Sequence, residues 1–358
     1  VQQARITNQA HPQRSDSQAK STMVLTAYGS VLSRTTTEEG ALAELDTKSK
    51  SVPYSKQERL PPWTYSDIRW GMAIYISLTQ FLGFVGIFFL PYCRLPTLAW
   101  AFMLWPISGF GITGGAHRLW AHRSYKANFV FRFATMLANS VANQGTIYHW
   151  ARDHRTHHFH SETVADPHDA IRGFWFAHIG WLYLKKDPRV AEAGRKVNVD
   201  DLKADACVML QKNLDPWWNL FWCFFFPAIV AQAGWGESFW TAFFTAGCLR
   251  YAYVLHCTWF VNSAAHLWGE RPYDPASNPA ENPFVAVASL GEGWHNWHHK
   301  YPFDYAASEY GITSQFNPTK LIIDAAAACG MVRERKRATA MWAREKAKLQ
   351  ASIKAKAG

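Results

Sequence analysis

The sequence predicts an all-α integral membrane protein, in which four transmembrane helices carry a cytosolic helical cap that holds a dimetal site. Three observations predict it. Four long apolar stretches, uncharged but for Arg250 in the fourth, occur as two closely joined pairs. Histidines gather in four short clusters beside or between those stretches. Basic residues crowd the polar blocks, giving a formal net charge of +10 over 358 residues.

The elements follow in order. Residues 1–60 are polar and rich in Ser, Thr, Lys and Gln, which predicts a disordered N-terminal stretch. It has no apolar core of a cleavable signal peptide, so the first span is expected to serve as the insertion signal. A helix needs about 20 apolar residues to cross a bilayer. Spans are expected over 71–92, 95–115, 217–236 and 239–258. Trp63, Tyr65 and Trp70 precede the first, and Trp217 and Trp218 open the third, where amphipathic rings favour the headgroup level. Very short turns at Arg94 and Glu237 make each pair a hairpin. Both hairpins return the chain to one side, so the blocks 1–70, 116–216 and 259–358 share a compartment. Their Lys and Arg content makes that side cytosolic. The membrane domain is expected over 61–335. Residues 336–358 form a basic tail suited to anionic lipid. No nucleic-acid-binding motif accompanies the charge. Six scattered cysteines without a CxxC pair argue against a disulfide scaffold or a thiolate zinc site.

The histidines carry the chemistry. His154, His157 and His158 are spaced i, i+3, i+4, and His295, His298 and His299 repeat that spacing, so each trio shares a helix face. His117 and His122 stand five apart, a spacing that suits a frayed helix end. Asn262 and His266 lie one turn apart. The Asn262 amide either ligates directly or orients a metal-bound water. Nine imidazoles are too many for one ion and suit two of nearly octahedral coordination. Zinc typically takes four ligands, and no HExxH motif signals hydrolysis. A pair of redox-active irons fits an imidazole-rich, thiolate-free shell best.

The phrases around these clusters are specific. They are Gly115-Ala116-His117-Arg118-Leu119-Trp120, Ala165-Asp166-Pro167-His168, Arg271-Pro272-Tyr273-Asp274 and Leu290-Gly291-Glu292-Gly293. With the three histidine boxes and Asn262-Ser263-Ala264-Ala265-His266, the chain resembles the membrane fatty acyl-CoA desaturases of the stearoyl-CoA type over about residues 60–335. The resemblance implies two irons held by His117, His122, His154, His157, His158, His266, His295, His298 and His299, with Asn262 holding a metal-bound water. It implies O2-dependent insertion of a double bond, delta-9 by default, into a saturated acyl-CoA at the endoplasmic reticulum membrane. Arg152, Asp153, Arg155, Lys185 and Lys186 would contact CoA, and Trp105 would close the acyl tunnel. Phe159, Val164 and the Gln144-Gly145-Thr146 stretch depart from the family pattern, so CoA contacts are expected to differ in detail.

No histidine follows His299, and 59 residues do not suffice for a fused haem domain. Electrons are therefore expected from separate cytochrome b5 and its NADH-dependent reductase. His149, His160, His168, His178 and His256 fall outside the matched ligand set. Asp166, Asp169, Glu292 and Asp304 are candidates to orient ligand imidazoles. The rival readings are a diiron lipid hydroxylase and a desaturase of different regiospecificity. A metal transporter fits poorly, because transporters place ionisable ligands at mid-membrane.

Overall fold

The computed structural model describes residues 60–357. The expected disordered stretch, with His11, lies outside them apart from its last residue. The described chain is mostly helical, and its one sheet pairs Lys126–Ala127 antiparallel with Val332–Arg333.

Helices α1, Trp70–Tyr92, and α2, Leu95–Ala121, span 23 and 27 residues at mean hydropathies of 1.9 and 1.3. Among the described residues they are the two helices long and apolar enough to cross a membrane. The short helices α3, Phe129–Ala142, and α4, Ile147–His160, follow. The expected second hairpin folds as α5, 217–235, and α6, 239–262, each running through a π-helical stretch. These two fall outside the apolar pair: α5 carries Asn219 and Gln232, and α6 carries Arg250 and His256. Large side chains still face outward at helical spacing on both hairpins. They are Ile74, Leu78, Phe81, Phe84 and Phe88 on α1, and Trp217, Phe221, Phe225 and Ile229 on α5. An outward apolar stripe of that length is what a lipid-facing helix presents.

The two hairpin turns are tied together. Glu237 Oε2 accepts from the Arg94 backbone N–H at 2.8 Å and from Thr97 Oγ1 at 2.6 Å. Arg94 Nη1 donates to Trp235 O at 2.8 Å. Helix α1 lies close on α6, since a Cβ on Gly86 would meet Phe244 O at 2.3 Å and one on Gly83 would meet Ala252 Cβ at 2.6 Å. Small residues permit such backbone approach between apolar helices. Buried Arg250 of α6 is satisfied by carbonyls, donating to Val141 O at 2.9 Å, Cys223 O at 2.7 Å and Ala246 O at 3.1 Å. It thereby bolts α3, α5 and α6 together without a buried unpaired donor.

The histidine-bearing ends of α2 and α6 lie opposite these turns along their helices. There α7, Ala264–Leu267, and α8, His295–Lys300, join α4. Helix α9, Pro318–Ala328, packs behind α2, with Thr319 Oγ1 2.7 Å from Thr113 Oγ1. The expected basic tail folds mostly as α10, Thr339–Ala357. Trp342 packs edge-on against Tyr273 at 5.2 Å, and Lys300 pairs with Glu345 at 2.7 Å, so this helix is anchored to the cap.

Candidate metal centre

Two sets of imidazoles converge. His117, His122, His154, His158 and His298 present ring nitrogens that all lie within 4.8 Å of one another. Successive Nε2 atoms are 3.0 Å apart for His117 and His298, 2.8 Å for His122 and His154, 3.1 Å for His154 and His158, and 3.0 Å for His158 and His298. The second set is His157, His266, His295 and His299. Its Nε2 atoms stand 3.4 Å apart for His157 and His299, 3.1 Å for His266 and His295, and 3.2 Å for His295 and His299.

These spacings test the fit of a metal. With metal–nitrogen bonds of about 2.1 Å, adjacent ligands at right angles are ~3.0 Å apart. The five-histidine set repeats that edge length. Burial, and then the mutual charge of neighbouring rings, holds His122, His154, His158 and His298 well below the ordinary histidine pKa. The same causes act on His157, His295 and His299. Neutral imidazole is the ligating form. Bare lone pairs facing one another repel, and a shared cation removes that conflict. The donor set therefore fits two cations that accept nitrogen.

The fold makes this from short spacings in two ways. Residues Gly111–Ala121 are π-helical, and the His122 N–H bonds to His117 O at 3.0 Å. Residues five apart stack in a π-helix, so a wound turn, rather than the expected frayed end, brings His117 and His122 together. Each i, i+3, i+4 trio is also divided. His154 and His158 join the first set while His157 joins the second, and His295 and His299 join the second while His298 joins the first. Each helix thus lends its i, i+4 pair to one set and its middle residue to the other.

Carboxylates orient some of the rings. His157 Nδ1 lies 2.9 and 3.0 Å from the two Asp166 oxygens. His117 Nδ1 lies 2.9 Å from Glu292 Oε2, and Arg118 holds the other oxygen of Glu292 through Nη2 at 2.8 Å. Burial pushes the Glu292 pKa up, but Arg118 and His117 outweigh it and keep the group below its ordinary value. Asp169 instead caps Ile171 N, and Asp304 binds Arg337 and Ala338 N, so neither touches a ligand ring. Sequence reasoning missed Glu162, whose Oε1 is 3.6 Å from His266 Nδ1. It is distant in sequence from His266, and no spacing signal marks it. His168 lies tilted against His157 at a centroid distance of 4.3 Å, outside both sets.

A cavity adjoins both sets. Trp105, Ile112, His117, His154, His157, Val254, Asn262, Leu290 and His295 line it. Trp105 meets Tyr253 edge-on at 5.5 Å. Gln144 Nε2 donates to Thr258 Oγ1 at 2.8 Å, tying the start of α4 to α6 beside the cavity. Among the expected CoA contacts, Arg152 and Lys186 both pair with Asp153. Lys185 and Lys186 are exposed. Arg155 departs from its expected role. Its guanidinium donates to Ala121 O, Trp120 O, Asn198 O and both Asp201 oxygens, and the side chain is buried. All five N–H donors are thereby occupied, which leaves none for a phosphate. Arg155 fastens the end of α2 to α4.

The chain is similar to known proteins over most of its length. The family model described as fatty acid desaturase matches residues 95–311. The chain is 49% identical over 284 residues to the acyl-CoA desaturase of Cyprinus carpio, covering 79% of this chain and 86% of that one. It is 46% identical over 273 residues to stearoyl-CoA desaturase 5 of Homo sapiens, covering 76% and 82%. It is 46% identical over 281 residues to the stearoyl-CoA desaturase of Sus scrofa, covering 78% of each.

Proposed function

The chain belongs to the fatty acid desaturase family, and on that premise we propose that it is an acyl-CoA desaturase that places a cis double bond, delta-9 by default, in a saturated fatty acyl-CoA. It is a desaturase oxidoreductase acting in lipid synthesis. The overall change balances as one acyl-CoA, O2, two electrons and two protons going to one unsaturated acyl-CoA and two waters. The observation that carries the reading is the pair of convergent imidazole sets beside one apolar cavity.

Iron at the two sets would supply the activation of O2 and the removal of hydrogen from adjacent methylenes. His117, His122, His154, His158 and His298 would hold one ion. His157, His266, His295 and His299 would hold the other, with Asn262 aimed at a bound water from the end of α6. The remaining work belongs to the chain. Asp166 and Glu292 fix ring orientation and the tautomer that leaves Nε2 bare. The buried cap keeps bulk water from a site where it would compete with substrate. A methylene offers no charge to grip, so cavity depth and shape set the register, with Trp105 as a tail stop. Lys185, Lys186, Arg152 and Asp153 would meet the CoA head at the polar surface, where Lys and Arg suit phosphate.

In this reading α5 and α6 complete a four-helix bundle in the membrane. The ligand cap and both ends of the described chain face the cytosol of an endoplasmic reticulum membrane. The tied turns at Arg94 and Glu237 and the outward stripes on α1 and α5 support that arrangement. Electrons would come from cytochrome b5 and its NADH-dependent reductase, an acidic carrier complementing a chain of net charge +10. The test is turnover of purified protein with saturated acyl-CoA, O2 and reduced cytochrome b5. Two irons per chain and an alkene product are expected. An alcohol would move the reading to a lipid hydroxylase, and alkene formation at full rate with one metal per chain would overturn the dimetal assignment.

A further inference from the structure

Two histidines that the metal sets do not use, buried His178 and half-buried His256, form a chain with two polar partners, half-buried Gln80 and buried Ser263. Gln80 of α1 faces His256 of α6, with Oε1 3.0 Å from Nε2. His256 Nδ1 is 3.0 Å from His178 Nε2. His178 Nδ1 is 2.9 Å from Ser263 Oγ. Ser263 Oγ donates to Trp259 O at 2.8 Å. Three segments distant in sequence are therefore linked in one chain that ends at Ser263, the residue between the end of α6 and the start of α7.

That residue is where the ligand segment breaks. Helix α6 ends at Asn262, Ser263 has φ −105° and ψ −74°, and α7 restarts at Ala264. The break separates Asn262, which lines the cavity, from His266, which joins the four-histidine set. An unbroken helix would carry both along one axis. Resting on the dimetal reading above, we propose that His178, held by His256 and Gln80, is a positioning residue that sets this break through Ser263 and so aims Asn262 and His266.

The hydrogen bonds have one self-consistent direction. The Ser263 hydroxyl is spent on Trp259 O, so its oxygen accepts from His178 Nδ1–H. His178 Nε2 is then bare and accepts from His256 Nδ1–H. His256 Nε2 is bare in turn and needs a donor. Gln80 Nε2 is buried without a partner. With the Gln80 amide turned over, that nitrogen donates to His256 and the amide oxygen takes the position it vacates. All four imidazole nitrogens and the Ser263 hydroxyl are then paired with both rings neutral, and a polar chain so paired favours one geometry.

The experiment uses full-length protein and reads metal as well as turnover. Metals per chain are counted in wild type, His178→Phe, His178→Asn and Ser263→Ala during dialysis against a chelator. Asparagine places an amide near the Nδ1 position and keeps the bond to Ser263. Wild type should hold two ions. His178→Phe and Ser263→Ala should each lose one ion about ten-fold faster or more, the usual cost of removing a group that orients a ligand. His178→Asn should recover much of that retention. The double variant should be no worse than either single one, because both remove the same bond. Equal retention of both ions in Ser263→Ala, or loss in His178→Asn as fast as in His178→Phe, would overturn the proposal. If His178→Phe does not fold, Ser263→Ala decides. A wild type holding fewer than two ions would instead count against the dimetal reading itself.

Discussion

Replacing Asp166 by Asn should loosen one metal and spare the other. Asp166 is buried and accepts from three donors through two oxygens: the His157 Nδ1–H shared between both, Glu162 N at 2.9 Å and His168 N at 3.1 Å. Burial lifts its pKa above the ordinary carboxylate value, while His168 and the two backbone donors oppose that rise. An amide of the same shape keeps one accepting oxygen and turns an NH2 toward a donor. At least one contact is lost, and it involves a charged acceptor, worth roughly 1.5–3 kcal/mol. Loss of a group that orients a ligand imidazole costs about 10–100-fold in metal affinity, or roughly 1.4–2.8 kcal/mol. The two routes agree. Chelator competition on purified Asp166→Asn should therefore show the ion associated with His157 leaving at 10–100-fold lower chelator, with the five-histidine ion retained. A shift below two-fold, or earlier loss from the five-histidine set, would refute the reasoning.

Four other outcomes follow from the same geometry. His157→Ala and His298→Ala should each abolish product while leaving the protein inserted, and each should remove a different ion; wild-type turnover in either purified variant would take that residue out of the site. Asn262→Ala should lower O2-dependent turnover far more than it lowers Tm, which paired kinetics and melting curves check. Changing Lys185 and Lys186 together to Ala should raise the apparent KM for acyl-CoA at low salt, with the difference fading as salt rises; an unchanged KM at low salt would leave the pair as solvated surface. Trp105→Ala should shift preference toward longer acyl chains severalfold, since each newly buried methylene is worth roughly 0.8 kcal/mol, and the double bond should stay at the same distance from the thioester. Competition between acyl-CoAs of different length measures it.

Much of this was legible in the sequence because it is local. Uncharged length marks α1 and α2, and i, i+3, i+4 spacing marks the two histidine trios. The parts that escaped depend on backbone winding or on distant partners. The π-helical turn at Gly111–Ala121 changes which residues stack, and five-residue spacing alone does not distinguish it from a frayed end. The division of each trio between two sets is fixed by how α4 and α8 face one another, a tertiary fact. Glu162 meets His266, and Asp201 claims Arg155, across gaps of 104 and 46 residues that carry no periodic signal. Arg155 also shows why a basic residue beside a ligand cluster is ambiguous: its charge suits a phosphate, and its fork suits carbonyls equally well.

The most direct test is expression in cells that lack their own desaturase, with the double bonds of the cellular lipids mapped in wild type and in His298→Ala. Wild type should yield unsaturated acyl chains with the bond at one fixed distance from the carboxyl end, and the variant none. Saturated lipids in both, hydroxylated chains without alkenes, or equal unsaturation in the variant would contradict it.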